Sequence, residues 1–571
     1  MKNLQLLFLL FLVILLTPSC TEKPTASLLL LNGKIATMDK NNPSVEAVAI
    51  QDNRIVLLGT TAEVKKWQGK KTKVIDLKGQ FAMPGFIEGH GHFSGLGKSL
   101  MNLNFLTSKN WNEIVAMVAQ KAKTTPKGEW IIGGGWHQEK WNEKLDRQVL
   151  GYPYHDDLSA VSPDHPVLLR HASGHGVFAN KKAMELAGIN IETPNPSGGE
   201  IVRDGSGKAI GMFEENAMSL IYDAYLAYQK TLSQEDLLSQ WYQAIDLAQT
   251  ECINKGITSF QDAGSSFDEI KRYAQLAKND KLNLRLWAML RHSYDEMKGQ
   301  LNAFPIIDEG NHFFTCRALK TEVDGALGSY GAWLLAPYHD KPNFVGQNTT
   351  SIEEVTHIAQ LAMKNNLQLC VHSIGDRANR EVLNIFEKQF KSNPKKDYRW
   401  RIEHAQHLDP KDIPRFKKWN IIASMQGIHC TSDAPFVVSR LGEKRAKEGA
   451  YPWRSLLDAG AIIANGTDAP VEDVNPLKCF YALVTRQRAD TGLKFFTEQK
   501  MTREEALYAY TLNNAFAAFE EKEKGSLEVG KLADIVVLTK DLRTCKDSEI
   551  LQTKVLFTII GGKIKQLKID N

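Results

Sequence analysis

The sequence contains few cysteines, and none of them are spaced as a pair. Seven occur in 571 residues, and they are widely scattered: Cys20, Cys252, Cys316, Cys370, Cys430, Cys479 and Cys545. Without a C-x-x-C pair, neither a zinc knuckle nor a dense disulfide framework is expected. Several of these residues fall in apolar runs, where a buried free thiol is the simpler interpretation.

Blocks of a single charge are also missing. The net charge is +4, and Lys and Arg are spread along the chain rather than gathered into one segment. This leaves no electrostatic footprint for nucleic acid, so we expect a small-molecule substrate. An apolar fraction of 43% is typical of a globular protein with a sizeable core.

Motifs of three common enzyme classes are absent. The sequence has no H-E-x-x-H run, which disfavours a zincin protease, and no G-x-S-x-G elbow. The segment Ser94–Ser99 superficially resembles a phosphate loop, but the position that requires the first glycine is His92. A nucleotide-binding P-loop is therefore not predicted.

A marked apolar run stands at the N terminus. Leu6–Leu16 follows Met1 and Lys2, is too short to remain as a membrane-spanning helix, and leads to small residues before Cys20, as in a secretory signal. Leu16–Cys20 resembles a bacterial lipobox, although Thr17 stands where Leu is more common. We expect residues 1–20 to be a signal peptide, Cys20 to be lipidated, and the protein to be exported and anchored facing the periplasm or cell surface. The alternative is an ordinary cleaved signal.

Both ends of the remaining chain are rich in β-type segments. Residues 26–83 contain three such runs with turn signals, and residues 521–571 contain two more: Leu28–Met38, Glu46–Leu58, Lys73–Met83, Ala533–Leu538 and Val555–Lys565. We interpret 26–83 and 521–571 as the two parts of one small β-sandwich satellite domain. Spacing alone does not establish that the two parts meet.

Residues 84–520 alternate short apolar strands with helix-length segments, which indicates an α/β fold with a parallel sheet. Eight strands are predicted: Phe86–His92, Ile257–Asp262, Leu284–Leu290, Phe313–Thr321, Gln368–His372, Trp400–His404, Ile421–Met425 and Ala461–Thr467. A TIM-type (β/α)8 barrel is the leading architecture. A long insertion, about 93–256, carries Trp130, Trp136 and Trp141 and is expected to lie over the active face.

Metal-binding residue types gather at the ends of these strands. His90 and His92 are two positions apart, so both imidazoles face the same way. The complete set comes from five strands: His90, His92, Lys320, His372, His404 and Asp468. Each histidine alone is more often an ordinary core or surface residue, but their joint placement at the C-terminal mouth of one barrel predicts a metal site.

These motifs resemble the amidohydrolase superfamily, and in particular its amidohydrolase 3 branch, which includes N-substituted formamide deformylase. Pro84–His92 resembles the first-strand motif with His-x-His, and Lys320–Ser329 resembles the Lys-plus-Asp-Gly strand of that branch. Later matching segments are Val371–Asp376, Arg401–His404, Asn465–Pro470 and Gly525–Asp534. Glu88 and Gly89 depart from the usual Asp and small polar residue. The resemblance covers nearly the whole mature chain.

The resemblance implies a role for each ligand. His90, His92 and Asp468 would hold one divalent ion, and His372 and His404 a second. Lys320 would bridge them as a carbamate, since an ammonium cannot bind a metal; otherwise it stays an ammonium paired with Glu322 or Asp324. Zinc is the default ion, with iron, manganese and nickel left open.

The resemblance also implies a reaction. Two ions would activate a shared water, and Asp468 would carry its proton to the leaving nitrogen of an amide, formamide or cyclic amide. This is hydrolysis of a carbon–nitrogen bond other than a peptide bond, the EC 3.5 class. A mononuclear deaminase of the same superfamily and a non-catalytic solute-binding lipoprotein are the alternatives.

Contacts with substrate are harder to assign from sequence, because loop side chains set specificity. Six residues stand where they would face the mouth, and each is equally interpretable as structural: Trp136, His175, Asp324, Arg377, Gln426 and His429. A homo-oligomer is left open.

Overall fold

The structure is a computed structural model that describes residues 25–105, 107–138, 141–143, 145–171, 176–196, 199–328, 330–394 and 397–567. The predicted signal at 1–20, with Cys20, and the predicted substrate contact His175 lie outside the described residues.

The strands, in chain order, are β1 (Leu28–Leu31), β2 (Lys34–Ala36), β3 (Ser44–Val45), β4 (Ala47–Gln51), β5 (Arg54–Gly59), β6 (Lys73–Asp76), β7 (Phe81–Pro84), β8 (Phe86–Gly91), β9 (Leu103–Asn104), β10 (Ile131–Trp136), β11 (Val167–His171), β12 (Gly176–Ala179), β13 (Gly199–Arg203), β14 (Ala209–Glu215), β15 (Ile257–Ser265), β16 (Arg285–Leu290), β17 (Ile306–Asp308), β18 (Phe314–Glu322), β19 (Gln368–Ser373), β20 (Arg401–His404), β21 (Ile422–Gln426), β22 (Ile462–Gly466), β23 (Ile535–Leu538), β24 (Val555–Ile560) and β25 (Lys563–Leu567).

The α-helices, in chain order, are α1 (Thr61–Lys65), α2 (Phe93–Met101), α3 (Trp111–Ala122), α4 (Asp156–Val161), α5 (Lys181–Leu186), α6 (Met218–Gln229), α7 (Gln234–Asn254), α8 (Phe267–Lys278), α9 (Tyr294–Met297), α10 (Glu309–His312), α11 (Ile352–Lys364), α12 (Asp376–Ser392), α13 (Ile413–Lys418), α14 (Gly427–Leu441), α15 (Glu443–Gly449), α16 (Trp453–Asp458), α17 (Pro476–Thr485), α18 (Arg503–Ala509), α19 (Leu512–Ala517) and α20 (Asp547–Ile550), with short 3-10 helices at Leu301–Ala303 and Thr497–Gln499.

All eight strands predicted for the middle of the chain form one parallel sheet. Its order is β22-β21-β20-β19-β18-β16-β15-β8, and β17 pairs with β18 in addition. The two outer strands are joined just past their ends, where the Asp468 amide donates to the His90 carbonyl and the His92 amide to the Ala469 carbonyl, each at 2.7 Å. The sheet is therefore a nearly closed barrel, and the predicted α/β barrel is confirmed.

The helices around the barrel start where local sequence favours them. Helix α8 begins with a capping box, in which the Ser266 hydroxyl accepts from the Glu269 amide and the Glu269 carboxylate accepts from the Ser266 amide. Its buried face consists of Ile270, Tyr273 and Ala277, at the i, i+3, i+7 spacing of an amphipathic helix. The same short sequence thus contains both the signal that starts the helix and the apolar residues that it buries.

The barrel interior contains charged side chains as well as apolar ones. The Arg401 guanidinium on β20 donates to Gln261 on β15 at 2.6 Å, and its carbon lies 4.6 Å from the centre of the Trp287 ring. Because β15 and β20 are not neighbours in the sheet, this contact crosses the inside of the barrel. The interior thus supports a layer of polar groups beneath the C-terminal mouth.

Strands from both ends of the chain pair with one another. In the sheet β25-β24-β23-β7-β2-β3, β23 runs antiparallel to β7 with Val537 opposite Ala82. A second sheet has the order β5-β4-β1-β6. One apolar cluster includes residues from both sheets, among them Leu30, Ile50 and Ile559. A bidentate bond from Arg285 on β16 to Asp534 fastens the segment before β23 to the barrel.

The predicted insertion contains its own sheet, with the order β13-β14-β12-β11-β10-β9. Two separate apolar clusters involve this sheet, one containing Trp136 and Phe178 and the other containing Trp130 and Ile221. The tryptophans that mark the insertion in the sequence thus contribute to its core. Within the described residues, none of the helices has the length and apolarity that crossing a membrane requires.

Candidate metal centre

The mouth of the barrel brings His90, His92 and Asp468 together. The Asp468 Oδ1 atom lies 3.2 Å from His92 Nε2 and 3.5 Å from His90 Nε2. One potential ligand atom from each of the three residues lies within 4.8 Å of the others. This is the group that the sequence assigned to a first divalent ion.

A second group shares the same carboxylate. Ligand atoms of His404, His429 and Asp468 also lie within 4.8 Å of one another, and His429 Nε2 is 3.8 Å from Asp468 Oδ2. His372 stands beside this group, with its ring centre 4.3 Å from that of His404. His429, which the sequence offered only as a substrate contact, therefore lies among the candidate ligands.

The backbone at two of these residues has an unusual conformation. His404 has φ of 75° and Asp468 has φ of 61°, in the left-handed region that side chains other than glycine rarely adopt. Such conformations cost on the order of 1–3 kcal/mol and persist where the surrounding structure fixes them. At His404 the reversal comes at the end of β20, just where the imidazole must turn into the mouth.

Lys320 is buried on β18, where it stands opposite Cys370 of β19. Its ammonium donates to the Ala263 carbonyl at 3.3 Å. The two carboxylates considered as its partners are engaged elsewhere, since Glu322 pairs with Arg291 and Asp324 accepts from three backbone amides. Neither forms an ion pair with Lys320 in the described structure.

Two side chains orient ligand imidazoles from outside the cluster. The Glu403 Oε2 atom accepts from His90 Nδ1 at 2.5 Å, and both side chains are almost fully buried. The Gln426 Oε1 atom accepts from His404 Nδ1 at 2.7 Å. Each contact places a proton on Nδ1, so Nε2 is the ring nitrogen that faces the cluster.

The pKa values reflect this buried, charged surrounding. Burial works against charge on His90, but the Glu403 and Asp468 carboxylates raise its pKa to about 9. Burial and the Lys320 ammonium lower the pKa of His372 to about 3. Although burial opposes ionisation of Glu403, His90 and other nearby cations hold its pKa at about 2. Burial also lowers the pKa of Lys320.

The residues present fit a divalent cation. Four buried atoms at the cluster have no hydrogen-bond partner among the described residues, and all four are potential ligands: His90 Nε2, His372 Nε2, His429 Nε2 and Asp468 Oδ1. Buried polar atoms are normally satisfied, so unpartnered ones that converge on one point need an explanation. Imidazole and carboxylate are the donors that zinc and related ions prefer.

The predicted substrate contacts fall in different surroundings. Trp136 is fully buried, with its indole donating to the Leu169 carbonyl. The Asp324 carboxylate holds the loop after β19 through the Ile374 and Gly375 amides, at 2.9 and 2.8 Å. Arg377 lies over the Trp333 ring, 4.5 Å from its centre. These residues remain predicted substrate contacts.

Sequence reasoning missed Glu403 as a partner of His90, although it directly precedes His404. Alternation along β20 separates Glu403 from His404, because successive strand side chains point to opposite faces. The left-handed backbone at His404 breaks that alternation. Gln406, whose Nε2 contacts His429 Nδ1 at 2.9 Å, was also missed, and it lies beyond the strand where alternation gives no signal.

The barrel and the imidazole cluster around one buried carboxylate together define a metal-dependent hydrolase. The sequence profile of the amidohydrolase family matches residues 73–565. The chain belongs to the amidohydrolase family, which confirms the resemblance found in the motifs.

Similarity to individual proteins extends over most of the chain. Protein LONG AFTER FAR-RED 3 of Arabidopsis thaliana is 31% identical over 550 residues, covering 94% of this chain and 91% of that protein. The N-substituted formamide deformylase of Arthrobacter pascens is 28% identical over 550 residues, covering 94% of this chain and 98% of that protein. The solved structure of a metal-dependent hydrolase from Pyrococcus horikoshii OT3 superposes with a TM-score of 0.72 at 25% identity, covering 91% of this chain and 99% of that chain.

Proposed function

We propose that this amidohydrolase uses two divalent ions to hydrolyse the C–N bond of a small amide, formamide or cyclic amide. The observation that carries the proposal is the Asp468 carboxylate, which lies among imidazoles of which His90 and His429 have Nε2 atoms without a hydrogen-bond partner within the described part of the chain. Similarity over 94% of the chain to an N-substituted formamide deformylase supports formamides as the first substrates to test. The reaction consumes water and yields a carboxylic acid and an amine.

The proposed ligand assignment follows the resemblance of the motifs to the family. It matches the first group at the mouth, whereas it places His372 where the second group contains His429. His90, His92 and Asp468 would hold one ion, and His372 and His404 would hold the other. Lys320 would serve as a further ligand once its neutral amine has added to carbon dioxide, a step that forms a carbamate and releases a proton. Two divalent ions, zinc in the first instance, would lower the pKa of water and polarise the substrate carbonyl.

Asp468 moves the proton in this proposal. Its Oδ1 faces His90 and His92, and its Oδ2 faces His429 at 3.8 Å, so the carboxylate has one oxygen on each side of the cluster. Asp468 accepts the proton of the attacking water and delivers it to the nitrogen of the leaving amine. Burial of the carboxylate excludes bulk water from this transfer.

The organisation of the whole chain supports two further proposals. Pairing of β7 with β23 and the apolar cluster shared by the two terminal sheets support a separate satellite domain built from residues 26–83 and 521–571. The N-terminal segment supports export, with Cys20 as the lipidated residue. Mass spectrometry of the mature protein tests the second point, because lipidation adds acyl chains to Cys20 and simple cleavage does not.

Elemental analysis combined with a substrate screen tests the function. The purified chain is expected to contain about two divalent ions and to release amine from one of a panel of N-formyl, N-acyl and cyclic amides. One ion per chain with release of ammonia from an amino-substituted ring would favour the deaminase instead. Tight binding of a ligand without product, in metal-replete protein, would indicate a solute-binding protein.

A further inference from the structure

The two imidazoles His90 and His404 differ in what their Nδ1 atoms contact. His90 Nδ1 donates to a carboxylate, Glu403, at 2.5 Å, whereas His404 Nδ1 donates to a neutral amide, Gln426, at 2.7 Å. These imidazoles belong to different proposed metal positions, and both contacts are buried. The two positions therefore receive different electrostatic support.

The direction of each contact is fixed by neighbouring groups. Gln426 Nε2 donates to the Ser424 carbonyl at 3.1 Å, so the amide oxygen faces His404. The Glu403 side chain is fully buried and reaches His90 across the barrel, from β20 to β8. In such a water-poor interior a charged acceptor acts more strongly than a neutral one.

A carboxylate on Nδ1 increases the electron-donating power of Nε2, which is the atom that would bind the ion, and it also fixes the ring orientation. We propose that the two metal positions are unequal, and that the position formed by His90, His92 and Asp468 binds its ion first because Glu403 polarises His90. Glu403 is in this view a positioning residue. The inference rests on the proposed two-ion function, and loss of such a contact typically lowers metal affinity about 10–100-fold.

Glu88 provides a control for the loss of a buried carboxyl group close to His90. It is a second fully buried carboxyl group near His90, but its Oε1 accepts from the backbone amides of His90 and Thr467, at 3.4 and 2.5 Å, rather than from an imidazole ring. Glu88→Gln therefore removes a buried carboxyl group without changing any Nδ1 contact, whereas Glu403→Gln replaces the acceptor on His90.

The test is a metal titration of the full-length chain after removal of bound metal by chelation. Zn²⁺ is added in competition with a chromophoric chelator, and the two dissociation constants are fitted for wild type, Glu403→Gln, Gln426→Glu and Glu88→Gln. Circular dichroism of the metal-free proteins checks that each variant is folded. No catalytic measurement is needed, so the readout is independent of substrate.

In wild type we expect two binding steps with dissociation constants about 10–100-fold apart. Glu403→Gln should weaken the tighter step by at least about tenfold, and Gln426→Glu should tighten the weaker step by a similar factor. If Glu403→Gln does not fold, the inference is tested by Gln426→Glu alone, through the dissociation constant of its weaker step. Glu88→Gln should change the tighter step by less than about threefold.

Two results would overturn the inference while leaving the proposed function intact. One is a wild-type protein with two equal dissociation constants that stay equal in both Glu403→Gln and Gln426→Glu. The other is a Glu88→Gln variant that weakens the tighter step as much as Glu403→Gln does, because the loss of any buried carboxyl group near His90 would then explain the effect. Wild-type protein that binds no Zn²⁺ would contradict the proposed function itself, and the inference with it.

Discussion

Replacing Asp468 by Asn separates metal binding from proton transfer. The amide oxygen can occupy the place of Oδ1, which lies 3.2 Å from His92 Nε2 and 3.5 Å from His90 Nε2. The amide NH₂ then occupies the place of Oδ2, 3.8 Å from His429 Nε2. An amide oxygen still binds a divalent ion, but it does not take up a proton near neutral pH. The variant should therefore keep at least one ion and lose turnover.

The size of the loss follows from the role assigned to Asp468. A positioned general acid or base contributes typically about 10²–10⁴-fold to the rate, or about 2.7–5.4 kcal/mol of activation free energy. Because Asp468 acts twice in the proposed cycle, first on the water and then on the leaving nitrogen, the upper part of this range is expected. Binding of substrate, measured with a slowly hydrolysed analogue, should change much less.

The assay measures kcat and KM on the best substrate of the screen, alongside metal content by elemental analysis. Asp412→Asn is the control, since Asp412 is also a buried aspartate but pairs with Arg380 and Arg415 outside the barrel mouth. It should retain activity within about twofold if no site geometry changes. Asp468→Asn protein that retains its ions and turns over at the wild-type rate would remove Asp468 from the reaction.

Three further perturbations probe the metal, the fold and its pH dependence. Exhaustive chelation should abolish hydrolysis and lower Tm, and Zn²⁺ should restore both; activity that survives chelation would contradict the metal site. Arg285→Met should cost about 3–5 kcal/mol of unfolding free energy by leaving Asp534 without its buried partner, and a change in Tm within error of zero would refute this. Burial lowers the pKa of His407 from 6.5 to about 3, so the unfolded chain binds a proton that the folded chain does not. Stability should fall by up to about 1.4 kcal/mol per pH unit below pH 6.5, and His407→Phe should flatten that slope in Tm measured against pH.

Much of the barrel could be predicted because its strands are short, apolar and separated by helix-length segments. Each observed strand begins or ends within a few residues of the predicted one; the strand predicted at Trp400–His404, for example, is observed at Arg401–His404. Polar residues at the ends of such strands must meet at one mouth once the sheet is parallel. That topological rule is enough to bring His90, His372, His404 and Asp468 together.

Contacts that depend on a local departure from strand geometry were not predictable in the same way. Regular alternation assigns Glu403 and His404 to opposite faces, yet both reach the cluster because His404 has φ of 75°. The His90–Glu403 contact also joins residues 313 positions apart, and a single sequence contains no signal for such a pair. Trp136 illustrates a different difficulty. An aromatic residue in an insertion looks the same in the sequence whether it lies in an apolar core or lines a substrate pocket.

The candidate site lowers the stability of the fold that supports it, and this connects metal binding to folding. The left-handed backbones of His404 and Asp468 cost on the order of 1–3 kcal/mol each, and burying the Nε2 atoms of His372 and His429 without a partner among the described residues adds a desolvation cost. A divalent ion that binds only the folded chain stabilises it by RT ln(1 + [M]/Kd), about 4 kcal/mol when the free ion is at 1,000 Kd. The tighter of two unequal positions would therefore supply most of this stabilisation at low metal concentration. Glu403, by strengthening that position, would set the metal concentration at which this added stabilisation begins.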